Sequence, residues 1–192
     1  MNRLYAQQIV GRNRPRIGDR RTGMKAKFNP IIERLATSLF AVDQYADIFE
    51  KVALARRLRA PLRRIFARNM AQDVSASRLL FIHVPKNGGT SIKRTLYLSD
   101  PGHATFRYYE MFFPDHLTRC ETLAVLREPV ARFLSAFDFL MSGGGKDVRI
   151  QERPLRKMRH IRSIDQLLDF LEAAQGDWLR VDTFVRPQSW YI

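Results

Sequence analysis

The chain has 192 residues, of which 45% are hydrophobic, and this allows one globular domain with an extension. Its single cysteine, Cys120, excludes an intramolecular disulfide. No apolar run approaches the roughly 20 residues that a membrane-spanning helix needs, so an integral membrane protein is not predicted.

The net charge of +14 is unevenly distributed along the chain. Residues 1–77 contain 16 Lys and Arg against 6 Asp and Glu, a surplus of +10, whereas residues 78–192 contain 17 against 13, a surplus of +4. We therefore expect a basic N-terminal extension (1–77) and a functional domain (78–192). Nucleic-acid binding is not favoured, because most of the surplus lies outside the part of the chain with the chemical motifs.

The extension itself divides into segments of different character. Residues 1–29 show little periodicity, so we expect them to be disordered or loosely attached. Pro30 suits the start of a helix, and an arginine-rich helical pattern covers residues 48–66, with Pro61 expected to break or kink it. Such a basic helix lies peripherally on an anionic membrane, binds polyanions, or packs on the domain with a solvated face. Residues 72–78 are predicted to be a polar linker.

The functional domain begins with a strand, a glycine loop and a helix. Residues 79–84 are typical of a buried strand, and Pro85 ends it because proline has no amide for the sheet. Glycines permit a tight turn, and free amides at the start of the helix stabilise an anion. The alternative is a strand-turn-helix with only a surface lysine. The predicted contacts of a phosphate or sulfate are Lys86, Asn87, Gly88, Gly89, Thr90 and Ser91.

A second charged motif follows the next predicted strand. Residues 123–126 are apolar, Arg127 leaves the strand end, and Pro129 suits the first position of a helix that contains Ser135. An arginine beside a helix serine can bind a phosphate group. The alternatives are an ion pair of Arg127 with Glu128 and a bond from Ser135 to a helix carbonyl.

Strands that alternate with helices predict an α/β domain with a parallel sheet. The carboxyl ends of neighbouring parallel strands lie at one edge, where α/β sheets bind ligands. Two anion sites at such an edge suit a nucleotide with two phosphate groups.

These motifs resemble those of carbohydrate sulfotransferases, which use 3′-phosphoadenosine 5′-phosphosulfate (PAPS). The segment PKNGGTS (85–91) resembles their 5′-phosphosulfate loop, and LREPVARFLSAF (126–137) resembles their 3′-phosphate motif. GHATF (102–106) and RPQSW (186–190) resemble segments of the heparan-sulfate 2-O-sulfotransferase-like group and its bacterial members. The resemblance covers residues 79–192 and implies a P-loop-like, three-layer domain with a short central parallel sheet.

The resemblance also implies a role for each matched residue. Lys86 would contact the oxygen between the sulfate and the 5′-phosphate, and residues 88–91 would hold the 5′-phosphate. Arg127 and Ser135 would hold the 3′-phosphate. The segment that begins at Arg186 would lie near the cofactor.

The resemblance also implies that His103 is the general base, and a histidine with a near-neutral pKa suits the removal of a hydroxyl proton. The alternatives are His83, inside the first strand, and His116, after a Pro-Asp turn at a predicted surface position. No metal is expected. The acceptor is expected to be a hydroxyl of a carbohydrate or glycolipid, and the expected location is the cytoplasm.

Members of this group usually continue beyond the RPQSW segment, so the chain is expected to be C-terminally incomplete. Two functions stay open at this point. The first is a PAPS-dependent sulfotransferase. The second is a non-catalytic protein with a nucleotide-binding fold, whose basic arm binds polyanions or a membrane surface.

Overall fold

The computed structural model describes residues 30–55, 72–100, 102–145, 150 and 152–192. Within these ranges the sheet has two strands, β1 (Leu79–Ile82) and β2 (Glu121–Ala124), which pair in parallel. Leu79 lies opposite Glu121 and Ile82 opposite Ala124, so both strands end at the same edge. The predicted α/β class with a short parallel sheet is confirmed.

Each strand is followed by a loop and a helix, and further helices surround the pair. Helix α4 (Gly89–Leu96) follows β1, and α7 (Pro129–Met141) follows β2. The other helices are α1 (Pro30–Leu39), α2 (Tyr45–Leu54), α3 (Gln72–Ala76), α5 (Phe106–Phe112), α6 (Pro114–Leu117), α8 (Glu152–Met158) and α9 (Ile164–Ala173), with 3-10 turns at Trp178–Arg180 and Gln188–Trp190.

The strands occupy slightly different residues from the apolar runs that predicted them. β1 ends at Ile82 because the Val84 amide donates back to the Ile82 carbonyl at 3.1 Å instead of to the sheet. β2 covers 121–124 rather than 123–126. The Val125 carbonyl, just past its end, accepts a hydrogen bond from the Asn87 side chain at 2.8 Å. Both strands therefore end two residues earlier than predicted, and the loops with the charged motifs begin there.

The hydrophobic core is centred on β1. Leu80, Phe81 and Ile82 are at most 1% exposed. They pack with Phe49 and Val52 of α2 and with aromatic residues of α5. A second cluster joins α7 to the segments after it through Ala136, Leu140, Ile150, Met158, Ile161, Leu167, Val181 and Val185.

Helix α2, which belongs to the predicted extension, lies inside this core. The Asp47 carboxylate accepts hydrogen bonds from both terminal nitrogens of Arg186 at 2.8 and 2.6 Å. The Glu50 carboxylate accepts from the amide and hydroxyl of Thr105 at 3.0 and 2.7 Å. The division into 1–77 and 78–192 stays a prediction, but its first part is not wholly separate from the second.

The prediction of a linker at 72–78 was wrong, because this segment contains α3. The Asp73 carboxylate accepts hydrogen bonds from the amides of Leu98 and Ser99 at 2.7 and 2.9 Å, and from the Ser99 hydroxyl at 2.6 Å. The helical pattern predicted over 48–66 is confirmed as far as Leu54, where α2 ends. Its remainder at 56–66, with Pro61, and the prediction for residues 1–29 lie outside the described residues. No helix in the described part of the chain is long and apolar enough to cross a membrane.

Candidate functional site

The loop between β1 and α4 has an unusual backbone. Lys86 has φ +67° and Gly88 has φ +75°, both in the left-handed region. A lysine pays a steric cost in this region, and residues held there cluster at functional sites. Gly88 is the N-cap of α4, so the unpaired first amides of this eight-residue helix follow directly. The exposed Thr90 and Ser91 lie on the first turn of α4.

Gly89 is required for a packing reason. Its φ is not in the left-handed region. A Cβ at this position would lie 2.3 Å from Cδ2 of His83 and 3.1 Å from Cζ of Phe81. The imidazole of His83 therefore packs against the loop at Gly89 and leaves no room for a side chain there. Burial, together with the charge of His103, lowers the pKa of His83 to about 3, so this ring is neutral at physiological pH.

Two side chains fix the loop to its surroundings. Asn87 donates through Nδ2 to the Val125 carbonyl at 2.8 Å and to Oε1 of Gln188 at 2.7 Å. Arg132, which is 4% exposed, donates through Nε to the Pro85 carbonyl at 3.1 Å. The side chain of Asn87 was predicted to contact a ligand. In the structure its amide group holds the loop against the end of β2.

The charged amino group of Lys86 lies beside α7. Its Nζ lies 4.3 Å from the ring centroid of Phe139, a cation–π contact. Burial lowers the pKa of Lys86, and the nearby positive charge of Arg127 adds to this, whereas Asp138 opposes it. Lys86 thus lies within electrostatic reach of the second charged motif.

Arg127 lies at the end of β2 with an exposed side chain. Among the described residues its guanidinium forms no ion pair. The Glu128 carboxylate instead accepts from the amides of Val130 and Ala131 at 2.9 and 2.6 Å and caps α7. The alternative of an Arg127–Glu128 ion pair is therefore not formed, and the guanidinium is available to a ligand.

Ser135 lies on the face of α7 that meets the loop. Arg132, three residues earlier, contacts the Pro85 carbonyl, and Phe139, four residues later, contacts Lys86. Residues at these spacings share one side of a helix. Within the described part of the chain the Ser135 hydroxyl has no hydrogen bond to a carbonyl of its own helix, so that alternative is not formed either.

His103 has the tautomer that a general base needs. Its Nδ1 lies 2.9 Å from the His83 carbonyl, which only accepts, so Nδ1 carries the proton and Nε2 keeps its lone pair. The ring lies between His83 at 4.3 Å and Phe184 at 5.7 Å, measured between ring centroids. Burial lowers the pKa of His103 below its ordinary 6.5, despite the opposing bond to the His83 carbonyl.

His116 lies in another part of the molecule. It belongs to α6, before β2, whereas the loops with Lys86 and Arg127 follow the strand ends. The side chain is 6% exposed, so the predicted surface position was wrong. His116 packs in the interior because Phe113 and Leu117 of the same turn join the core.

Arg186 is a core residue in this structure. It is 2% exposed, and its guanidinium is shared between Asp47 and the Val181 carbonyl, to which Nε donates at 2.9 Å. Burial lowers the pKa of Arg186, but the hydrogen bonds and charge of Asp47 outweigh burial and leave this pKa raised. The geometry gives its guanidinium no access to a ligand, so we leave Arg186 out of the site.

Gln188, two residues later, is the residue that the sequence reasoning missed. Its Oε1 accepts from the Arg127 amide at 2.9 Å, and its Nε2 donates to the Arg127 carbonyl at 2.8 Å. The same Oε1 also accepts from Asn87. The RPQSW motif pointed to this segment, but nothing in the motif distinguishes the glutamine from the arginine.

A cavity of about 520 Å³ lies between the end of α1 and α8. Three of its lining residues are the cations Arg153, Arg156 and Lys157. Two of these are already engaged, because Arg153 donates to the Thr37 hydroxyl and Lys157 pairs with Asp43. We therefore do not assign this cavity to the anion site. No group of His, Cys, Asp and Glu among the described residues could hold a metal ion.

Two strand–loop–helix units with cations at one sheet edge form an α/β domain whose geometry is suited to an anionic ligand. The sequence model of the sulfotransferase family matches residues 73–191, more than half of the chain. The chain belongs to this family. No curated protein and no solved structure matched it.

Proposed function

We propose that this member of the family transfers a sulfuryl group from PAPS to a hydroxyl of a carbohydrate or glycolipid. The observation that carries the proposal is the pairing of two cationic loops at the ends of parallel strands. Lys86 and Arg127 belong to different loops, yet their charges interact and the loops are joined through Gln188. A ligand with two separated anionic groups matches this arrangement.

The residues present fit such a cofactor. The loop at 86–89 is preformed, with left-handed residues and a glycine that tolerates no side chain. We assign the 5′-phosphate to the first turn of α4, with Thr90 and Ser91 as hydroxyl donors. We assign the 3′-phosphate to Arg127 and Ser135, whose side chains form no hydrogen bond or ion pair among the described residues.

The chemistry of the chain's own residues follows from their protonation states. PAPS supplies the sulfuryl group and a phosphate leaving group. His103 is neutral at pH 7, and its Nε2 would accept the proton of the acceptor hydroxyl as that oxygen bonds to sulfur. Lys86 would stabilise the negative charge that develops on the departing phosphate oxygen.

The GHATF and RPQSW segments support a closer placement in the heparan-sulfate 2-O-sulfotransferase-like group, in its bacterial branch. That placement favours a polysaccharide or glycolipid acceptor and a cytoplasmic supply of PAPS. Because α2 buries its apolar face in the core, the arginine-rich sequence at 56–66 is the part of the extension for which peripheral contact with a membrane can be tested with a glycolipid acceptor.

The first test is calorimetric binding of adenosine 3′,5′-bisphosphate, the spent cofactor. We expect a dissociation constant on the order of micromolar. Arg127→Ala should lower the affinity by at least about tenfold, because a charge-assisted hydrogen bond contributes roughly 1.5–3 kcal/mol. Arg119→Ala is the matched control, since Arg119 precedes β2 and lies at its other end. A folded wild-type protein that binds no bisphosphate would overturn the proposal.

A further inference from the structure

Among the residues that the structure describes, Gln188 is the one side chain from outside the two charged loops that bonds to both. Its amide makes three hydrogen bonds: with Nδ2 of Asn87 at 2.7 Å, with the Arg127 amide at 2.9 Å, and with the Arg127 carbonyl at 2.8 Å. The last two use both the carbonyl oxygen and the NH2 group of the Gln188 side chain, so both backbone polar groups of Arg127 are paired with it. Asn87 completes the connection, because it also bonds to the Val125 carbonyl.

The backbone on both sides of Gln188 is anchored in the core. Arg186 is tied to Asp47 by two hydrogen bonds. Tyr191, which is 1% exposed, donates from its hydroxyl to the Thr183 carbonyl at 2.6 Å, and its own carbonyl accepts from the Phe106 amide at 2.8 Å. Gln188 therefore reaches the two loops from a rigid base.

We propose that Gln188 is a positioning residue that sets the spacing between the glycine loop and Arg127, and so lets two anionic groups of one ligand bind together. This inference rests on the proposed function, because it takes a nucleotide with two phosphate groups as that ligand. It also gives the RPQSW segment a role in which no residue of the segment has to touch the cofactor.

The physical reason is the free-energy cost of restoring the spacing between the glycine loop and the loop with Arg127. Without the Gln188 amide, Arg127 and Asn87 lose their shared partner. The Asn87–Val125 and Arg132–Pro85 hydrogen bonds still link the two loops, but the backbone of Arg127 is no longer held against the glycine loop. A ligand that uses one loop binds as before. A ligand that bridges both loops must restore their spacing at the expense of its own binding free energy.

The experiment compares two nucleotides in the Gln188→Met variant, which keeps the side-chain length and removes the hydrogen bonds. The affinity for adenosine 3′,5′-bisphosphate should fall about tenfold, because the ligand must restore the spacing that the three hydrogen bonds of Gln188 hold in the wild type. The affinity for adenosine 5′-monophosphate should change by less than about twofold. Gln166→Met is the matched control, because Gln166 also accepts a backbone hydrogen bond, from the Arg162 amide at 2.7 Å, at the start of α9.

A double-mutant cycle separates positioning from a general loss of stability. In the Arg127→Ala background, Gln188→Met should weaken bisphosphate binding by less than about twofold, since the second anion site is already removed. An equal loss for both nucleotides, or the same tenfold loss in both backgrounds, would overturn the positioning role.

Hydrogen exchange provides a readout that needs no ligand. The Arg127 amide donates to Gln188, so its protection should fall about tenfold in Gln188→Met, while the amides inside β2 keep theirs. Unchanged protection at Arg127 would refute the inference even if both nucleotides bind. If the wild type binds neither nucleotide, the proposed function fails, and with it the role of Gln188 in ligand spacing, whatever the exchange shows.

Discussion

Arg127 and Arg186 were both predicted to lie at the cofactor, and the structure treats them in opposite ways. Arg186 is 2% exposed and forms a bidentate ion pair with Asp47, whereas Arg127 is exposed and forms no ion pair among the described residues. An arginine with its own buried carboxylate holds the fold together. An arginine beside a glutamate that is used as a helix cap keeps its charge for a ligand.

The largest expected effect is on stability and concerns Arg186, the buried arginine of this comparison. Arg186→Met leaves the Asp47 carboxylate buried without its partner, which should lower the free energy of unfolding by about 3–5 kcal/mol. Arg127→Met should change it by less than about 0.5 kcal/mol. Chemical denaturation measures both values. The double variant Asp47→Leu with Arg186→Met should recover much of the loss, because it removes the unpaired charge. Equal stability of the two single variants would break the comparison.

The second prediction extends the comparison to a pair of histidines. His103→Ala should lower the turnover number by at least about 100-fold, because a positioned base contributes roughly that much. The affinity for adenosine 3′,5′-bisphosphate should stay close to that of the wild type. The measurement is a sulfate-transfer assay together with calorimetry. His116→Ala is the matched control, and a similar loss of turnover in that variant would count against His103 as the base.

A smaller effect is expected when the glycine loop itself is altered. Gly89→Ala forces the new methyl group against the His83 imidazole, and overpacking of this kind costs about 1–3 kcal/mol. We expect bisphosphate affinity to fall with it. Gly88→Ala meets nothing within 4 Å and bears only the strain of its positive φ, of order 1–2 kcal/mol. If Gly88→Ala proved the more damaging of the two, backbone conformation rather than packing would determine the loop.

The smallest effect concerns pH. The pKa of His103 is lowered from 6.5, chiefly by burial, so the neutral base persists as the pH falls from 8 to 6.5. Turnover should therefore be flat over that interval and decline only below 6.5, by about tenfold per pH unit once the base is protonated. A decline centred above pH 7 would show that the reacting group is not a histidine with a depressed pKa.

The sequence predicted the local units well, because their causes are local. An apolar run ended by Pro85, a glycine pair, and Pro129 at the start of α7 each act over a few residues. The strand pairing followed from the alternation of strands and helices. His103 was chosen by resemblance. Its Nδ1 contacts the His83 carbonyl in this structure, and its role as a base stays a prediction.

The remaining features depend on residues far apart in the chain. Asp47 and Arg186 are separated by 139 positions, and no spacing rule connects them. Gln188 bonds to a residue 61 positions away, and Asp73 caps a turn 25 positions later. Such partners are set by tertiary packing, so the sequence could identify a charged residue in a motif but not whether that charge was already paired.

The contact between Asp47 and Arg186 also has a consequence for synthesis. A chain grows at roughly 5–20 residues per second, so Arg186 leaves the ribosome roughly 7–30 seconds after Asp47. During that interval the carboxylate of α2 has no guanidinium, although the buried residues that pack with the apolar face of α2 lie between Val74 and Phe112, apart from Tyr191, and are made earlier. The apolar face of α2 can therefore be covered before its Asp47 carboxylate has a partner, so the ion pair with Arg186 is one of the last contacts of this core to form.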